Sequence, residues 1–270
     1  MGKKEEKERK EAEKRRMAFD CFYEDIYKER WQSLKAALLT ETTPIPFSDN
    51  LEKTYYLDRA SVIAAMQLPI KDGFNVLDMC AAPGGKTLVL ASRGDGRISI
   101  TANDRSKDRR ARLDNVLKEH LREDIRENIR TTNHDASLWG MHEKGVYDAI
   151  LLDAPCSSER HVLADPKHLA MWSVSRPKRL AIEQFALLAS ALDALKEGGY
   201  LLYSTCSINP GEDEMVIEKL LKRREGMAEE ITPEAETGER KSHGVLILPD
   251  VNENLGPLYY CLLRKLESEN

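Results

Sequence analysis

The chain has 270 residues, 41 Lys and Arg against 46 Asp and Glu, a net charge of −5 at pH 7 and five cysteines. That length can bury one substantial core, and the acidic balance argues against a generic nucleic-acid coat. No apolar run approaches the ~18 residues of a membrane span, and the cysteines (Cys21, Cys80, Cys156, Cys206, Cys261) are odd in number, widely spaced and without a CxxC pair, which argues against a zinc site or disulfide framework.

Met1 to Arg16 is nearly all Lys, Arg and Glu. Acidic residues so near the start argue against a secretory signal or a mitochondrial transit peptide, and a reducing cytoplasm is the expected setting. The stretch has no apolar face and predicts a frayed charged helix or no fixed structure. Phe19, Phe22, Tyr23, Ile26, Trp31, Leu34, Leu38 and Leu39 then recur at helical spacing, predicting one or two amphipathic helices. Thr43-Pro44-Ile45-Pro46 breaks that pattern, and Ala60 to Leu68 predicts another helix closed by Pro69.

From there strands and helices alternate in the doubly wound manner. The expected strands are Asn75 to Met79, Arg97 to Asn103, Ile129 to Asn133, Tyr147 to Leu152 and Gly199 to Ser204. The expected helices are Lys86 to Ser92, Ser106 to Leu121, Arg176 to Lys196 and Gly211 to Arg224. Met227 to Lys241 is acidic and turn-rich and reads as a surface loop, followed by two final strands, Val245 to Leu248 and Leu258 to Arg264. A late hairpin on a parallel sheet places antiparallel pairing at one edge. The division expected is an arm over 1–54 and one α/β unit over 55–270.

Chemistry gathers at the carboxyl ends of the strands, where open α/β sheets bind ligands. Cys80-Ala81-Ala82-Pro83-Gly84-Gly85-Lys86 is a small-residue turn that opens a helix, so backbone can approach a ligand and N–H groups can face an anion. Cys80 to Thr87 fits the P-loop pattern except at its first position, where Cys80 replaces glycine, and Asp153 imitates a magnesium-binding aspartate. An NTPase is therefore a rival reading. Asp104 stands after the second strand, about 20 residues past the glycine turn, where an acid accepts hydrogen bonds from ribose hydroxyls; Asp135 ends the third strand. That set suits an adenosine ligand. S-adenosylmethionine is one that needs no nest for a triphosphate.

Cys156 and Cys206 each follow a strand, flanked by Pro155 or by Thr205 and Ser207. A thiolate can add to C6 of a pyrimidine and make C5 nucleophilic enough to take a methyl group from a sulfonium. One cysteine can start that cycle and the other can help finish it. Chemistry alone allows either order.

Cys80 to Lys86, Asp153-Ala154-Pro155-Cys156 and Tyr203-Ser204-Thr205-Cys206-Ser207 resemble three signature motifs of the Sun/NOP family of RNA cytosine-5 methyltransferases, in the right order and spacing over Tyr55 to Leu221. The resemblance implies a Rossmann-like class I methyltransferase unit over 55–270. It implies Cys206 as the nucleophile, Cys156 as the residue that assists release, and Asp153 at the cytosine edge with Lys86 close by. It further implies S-adenosylmethionine held by Cys80, Ala81, Ala82, Pro83, Gly84, Gly85, Lys86, Asp104, Arg109, Asp135 and Asp153. The implied partner is RNA, ribosomal RNA before transfer RNA, met by a monomer with no membrane. A catalytically idle RNA-binding member is the remaining alternative, opposed by the presence of both cysteines, Lys86 and Asp153.

The chain departs from the broad family at two places. Leu57-Asp58-Arg59-Ala60-Ser61 has Leu where most members have Gln, and Ser157-Ser158-Glu159-Arg160-His161 replaces a glycine-containing loop, similar to the short branch that includes the mitochondrial ribosomal-RNA enzyme. No large RNA-binding domain fits before the first strand, so an accessory protein or a prebuilt RNA surface is expected to supply reach. Lys3 to Arg16, Arg105 to Arg130 and Arg176 to Arg179 are either solvated helical faces or a local basic surface. His161, His168 and Trp172 fall over the presumed pocket, either as loop packing or as a grip on RNA in which Trp172 stacks on a base.

Overall fold

The computed structural model describes residues 3–267. Two helices lead, α1 (Lys3–Tyr27) and α2 (Trp31–Leu39), and a hairpin of β1 (Ile45–Phe47) and β2 (Tyr55–Leu57) follows. The hairpin runs across the expected arm boundary at 54/55. α2 ends at Leu39 with Thr40 extended, ahead of Pro44 and Pro46, and Pro46 is tolerated because this small sheet has only two strands, leaving each with a free edge. Asp58 then caps α3 (Arg59–Gln67) by accepting the Ala60 N–H at 2.7 Å.

The α/β unit continues as β3 (Asn75–Asp78), α4 (Gly85–Gly94), β4 (Ser99–Asn103), α5 (Lys107–His120), α6 (Glu123–Arg126), β5 (Ile129–Thr132), α7 (Trp139–His142) and β6 (Tyr147–Asp153). Next come α8 (Glu159–Ala164), α9 (Pro166–Met171), α10 (Ser175–Ala194), β7 (Leu195–Thr205) and α11 (Glu214–Arg223). The chain closes with β8 (Ala228–Glu230), β9 (Glu239–Arg240), β10 (Val245–Ile247) and β11 (Leu258–Lys265). The main sheet has nine strands, with the path β5-β4-β3-β6-β7-β11-β10-β9 and β8 beside β11. β5 through β7 are parallel, while β11 enters antiparallel to β7 and β10 antiparallel to β11. The chain is thus a Rossmann-like, doubly wound α/β fold with an antiparallel edge. Chain order reverses between β3 and β6, so the ligand crevice belongs outside their carboxyl ends.

The sheet is apolar on both faces, as parallel strands covered by helices must be. One face carries Leu77, Ile150, Leu152, Leu201 and Tyr203 against α10 and α11, and Phe19, Tyr23, Trp31, Leu34 and Leu38 of the leading helices are buried in that same cluster. The other carries Val76, Ile100, Leu151 and Leu202 against α3, α4 and α5.

Several expected elements change at their ends, each for a tertiary reason. α10 stops at Ala194, because Leu195 already pairs with Tyr147 and a register shift across the Gly198-Gly199 turn lets β7 resume opposite Ala149. α11 starts at Glu214 rather than Gly211, because Asn209 Oδ1 takes the Gly211 N–H at 2.8 Å and the next two carboxylates turn inward. The stretch expected as a surface loop over 227–241 contains β8 and β9, which borrow pairing from β11 and β10. The segment after Cys156 is helical in α8 and α9 rather than an open loop.

Candidate active site

At the carboxyl ends of β3, β6 and β7 the three motifs converge. Lys86, in the first turn of α4, donates from Nζ to Asp153 Oδ2 at 2.7 Å, and Ser204 Oγ donates to Asp153 Oδ1 at 2.8 Å. Burial works against the Lys86 ammonium, yet the Asp153 carboxylate more than offsets this and holds its pKa above the ordinary lysine value. A P-loop lysine must be free to reach phosphate. This one is engaged, so the NTPase reading loses its central residue.

Cys156 and Cys206 lie with sulfurs 3.1 Å apart, the first half-buried and the second exposed. The pair titrates unevenly. The S–H of Cys156 hydrogen-bonds Cys206, and together with Ser158 and the Lys86 ammonium this outweighs burial and lowers the Cys206 pKa. Cys156 moves the other way, well above the ordinary thiol value, because the hydrogen bond to Cys206 and burial both favour its protonated form. Of the two, Cys206 is thus the thiol whose ionised form the surroundings favour.

Two cavities flank the Cys80 to Lys86 turn. The larger, about 470 Å³, is lined by Cys80, Asp104, Arg109 and Asp135 and by apolar Met79, Pro155, Ile182 and Leu187. Asp104 Oδ1 accepts the Ser106 N–H at 2.9 Å, while its buried Oδ2 has no hydrogen bond among the described residues and lies 3.4 Å from the Arg109 guanidinium. Arg109 also donates to the Ala82 carbonyl at 2.6 Å, tying the turn to α5. The exposed Asp135 accepts the Ser137 N–H and hydroxyl, which hold its pKa below the usual carboxylate value. A cavity of mixed lining, apolar at Met79, Pro155, Ile182 and Leu187 and carrying carboxylates at Asp104 and Asp135, suits a flat base joined to a sugar bearing hydroxyls.

The smaller cavity, about 210 Å³, is lined by Ala81, Ala82, Pro83, Gly85, Lys86 and Asp153 with Tyr55, Ser61, Asp78 and Cys80. Gly84 lines neither cavity. It caps α4 at φ 119°, and a Cβ there would meet Leu113 and Val116 of α5 at 3.1 Å, so glycine serves packing and backbone conformation.

Several site residues escaped the sequence. Asp78 is buried with Oδ2 accepting the Thr87 hydroxyl at 2.7 Å and Oδ1 without a hydrogen bond among the described residues, and burial pushes its pKa up to about 7. Ser204 could have been found from the alternation of a strand, since it lies two residues before Cys206 on one face. Glu159 and Glu212 carried no local signal. Trp172, which the sequence left open between loop packing and base stacking, is 2% exposed and packed edge-on against Phe19 and Phe22, so the leading helices cover the ring and the packed alternative holds. His161 and His168 remain near the surface with rings 5.5 Å apart.

A family model for the 16S rRNA methyltransferase RsmB/F matches residues 65–264. The chain is 34% identical over 235 residues to the 5-cytosine rRNA methyltransferase NSUN4 of Mus musculus, covering 78% of this chain and 60% of that protein. It is 31% identical over 228 residues to a mitochondrial tRNA (cytosine(34)-C(5))-methyltransferase of Danio rerio, covering 80% of this chain and 62% of that protein. The aligned region thus spans about three fifths of these relatives' length. The structure of NSun6 from Pyrococcus horikoshii with SFG superposes with a TM-score of 0.70 at 24% identity, over 82% of this chain and 55% of that one, a likeness of fold.

Proposed function

Since the chain belongs to the 16S rRNA methyltransferase RsmB/F family, we propose that it transfers a methyl group from S-adenosylmethionine to C5 of a cytosine in RNA through a covalent bond between Cys206 and C6. The observation that carries this reading is the pair of sulfurs 3.1 Å apart beside the Lys86–Asp153 ion pair.

The residues fit the cofactor, with Asp104 Oδ2, which accepts no hydrogen bond among the described residues and faces Arg109, as the acceptor for ribose hydroxyls, Asp135 also lining that cavity, and Ala81, Ala82, Pro83, Gly85 and Lys86 lining the adjoining one. S-adenosylmethionine supplies an electrophilic methyl sulfonium when bound. Asp153, fixed by Lys86 and Ser204, is placed to hydrogen-bond the cytosine edge as Cys206 Sγ adds to C6. Electron density displaced onto C5 would then take up the methyl group as its carbon–sulfur bond to the donor breaks, leaving S-adenosylhomocysteine. Adding to C6 also consumes the thiolate to which Cys156 hydrogen-bonds, a bond that, ahead of burial, is the largest cause holding the proton on Cys156. Cys156 can then give up its proton to solvent and, as the thiolate, accept the C5 proton. Loss of that proton restores the C5=C6 bond and expels Cys206 as a thiolate.

Ribosomal RNA is the favoured substrate, supported by the family and the NSUN4 relative, and transfer RNA is the second reading, supported by the mitochondrial relative. The contact is salt-sensitive where local basic residues meet phosphate. An accessory protein or assembled RNA supplies reach, the chain acts as a monomer, and its free thiols call for a reducing, cytoplasmic setting. Among the described residues no helix is long and apolar enough to cross a membrane.

Calorimetry separates this reading from the nucleotide-hydrolase rival. S-adenosylhomocysteine is expected to bind without magnesium, and Asp104→Ala to weaken it by about 1.5–3 kcal/mol, roughly 10- to 150-fold. Magnesium-dependent ATP binding with no affinity for the homocysteine would contradict it.

A further inference from the structure

Ser158 has a backbone φ of 53°, in the left-handed region that costs a side-chain-bearing residue and favours glycine. The loop is held there from behind. Its neighbour Ser157 donates from backbone and hydroxyl to the buried Glu212 carboxylate, which also takes Gln184 Nε2 at 3.0 Å. Its other neighbour, Glu159, is fully buried and accepts Tyr23 Oη at 2.5 Å, Ser207 Oγ at 3.1 Å and the Ile208 N–H at 3.1 Å. The Cys156 loop and the Cys206 loop are thus clamped together by a side chain one residue from Ser158. In that position the Ser158 hydroxyl stands 3.2 Å from Cys206 Sγ and 3.4 Å from Cys156 Sγ.

We propose that Ser158 is a third catalytic residue, whose hydroxyl donates a hydrogen bond to the Cys206 thiolate and fixes it for attack. This rests on the reading of Cys206 as nucleophile. Glycine would satisfy the backbone at no conformational cost, so the strain is accounted for by what the side chain contributes. Only a residue carrying a short donor can reach both sulfurs from a left-handed position. With the Cys156 thiol placed to hydrogen-bond Cys206 at 3.1 Å, the Ser158 hydroxyl at 3.2 Å can supply a second hydrogen bond, while the Lys86 ammonium acts through its charge. The charged and titratable groups facing Cys206 are Cys156 from the loop after β6, Asp153 from the end of β6 and Lys86 from α4. Of these, Cys156 also contacts the Ser158 hydroxyl, at 3.4 Å, so its alkylation is followed alongside that of Cys206.

The test is the pH dependence of iodoacetamide alkylation at Cys206, read by peptide mass spectrometry on the full chain, for the natural protein and for Ser158→Gly and Ser158→Ala. Glycine relieves the backbone and keeps the fold, so its thermal midpoint should be unchanged or higher. The Cys206 alkylation midpoint is expected to rise by about one pH unit in both variants, with alkylation near neutral pH slowed about tenfold. If the natural protein shows a depressed midpoint and Ser158→Gly keeps it, the Ser158 proposal fails and the two-thiol reading stands. If Cys206 in the natural protein alkylates with an ordinary thiol midpoint, both fail.

Discussion

Cys206→Ala is expected to abolish methylation and covalent capture of RNA together, whereas Cys156→Ala is expected to accumulate a protein–RNA adduct that survives denaturing electrophoresis. Addition and elimination are separate steps, so removing the residue for each stalls a different species. The asymmetry follows from the electrostatics of the pair. Cys206 is the exposed sulfur with the lowered pKa, and Cys156 stays protonated while that charge lasts. Without Cys156 the thiolate still has Ser158 and the Lys86 ammonium nearby, so addition proceeds while removal of the C5 proton loses its base. Turnover should fall by roughly 10²–10⁴-fold, the usual range for a lost general base. An adduct in Cys206→Ala and none in Cys156→Ala would reverse the roles.

Trp172→Ala is expected to cost about 3–5 kcal/mol of stability, the range for deleting a large buried aromatic. The indole sits among Phe19, Phe22 and Tyr23, with ring centroids at 5.0, 5.6 and 6.5 Å. It joins the α9–α10 corner to α1, and Arg15 donates to its carbonyl at 3.1 Å. Thermal or urea unfolding checks the loss. RNA affinity reduced at unchanged stability would return Trp172 to a surface role. Tyr23, in the same cluster, bonds Glu159, so a cavity at Trp172 should also loosen the clamp behind the two cysteine loops.

What the sequence made legible was local. Leu77, Ile150 and Leu202 announce buried strands because a parallel strand is apolar on both faces, and the residues just beyond them must then fall on the ligand rim. Cys80, Asp153 and Cys206 could be placed there without coordinates. Roles that depend on which distant segments meet were not legible. Ser158 and Glu159 stood out only as part of a loop that departs from the family pattern, and only the docking of the β6 and β7 loops puts one on a sulfur and the other on Ser207. Trp172 reads equally well as exposed or buried until the leading helices are seen to cover it. Glu230 and Glu239 lie in an acidic, turn-rich stretch, and their strands exist only because β11 and β10 offer edges. Asp78 looked like the end of a strand; its burial is what gives it chemistry.

The central claim is that substitution occurs at C5 of cytosine through addition at C6, which labilises the C5 hydrogen. RNA from cells lacking the protein, labelled with [5-³H]cytidine and separated into ribosomal and transfer fractions, is incubated with the protein and S-adenosylmethionine. Tritium released to water and methyl groups transferred are both counted. The account predicts release in equal number to methyl groups, in the ribosomal fraction, and none with Cys206→Ala. Methyl transfer without tritium release, or release undiminished in Cys206→Ala, would contradict it.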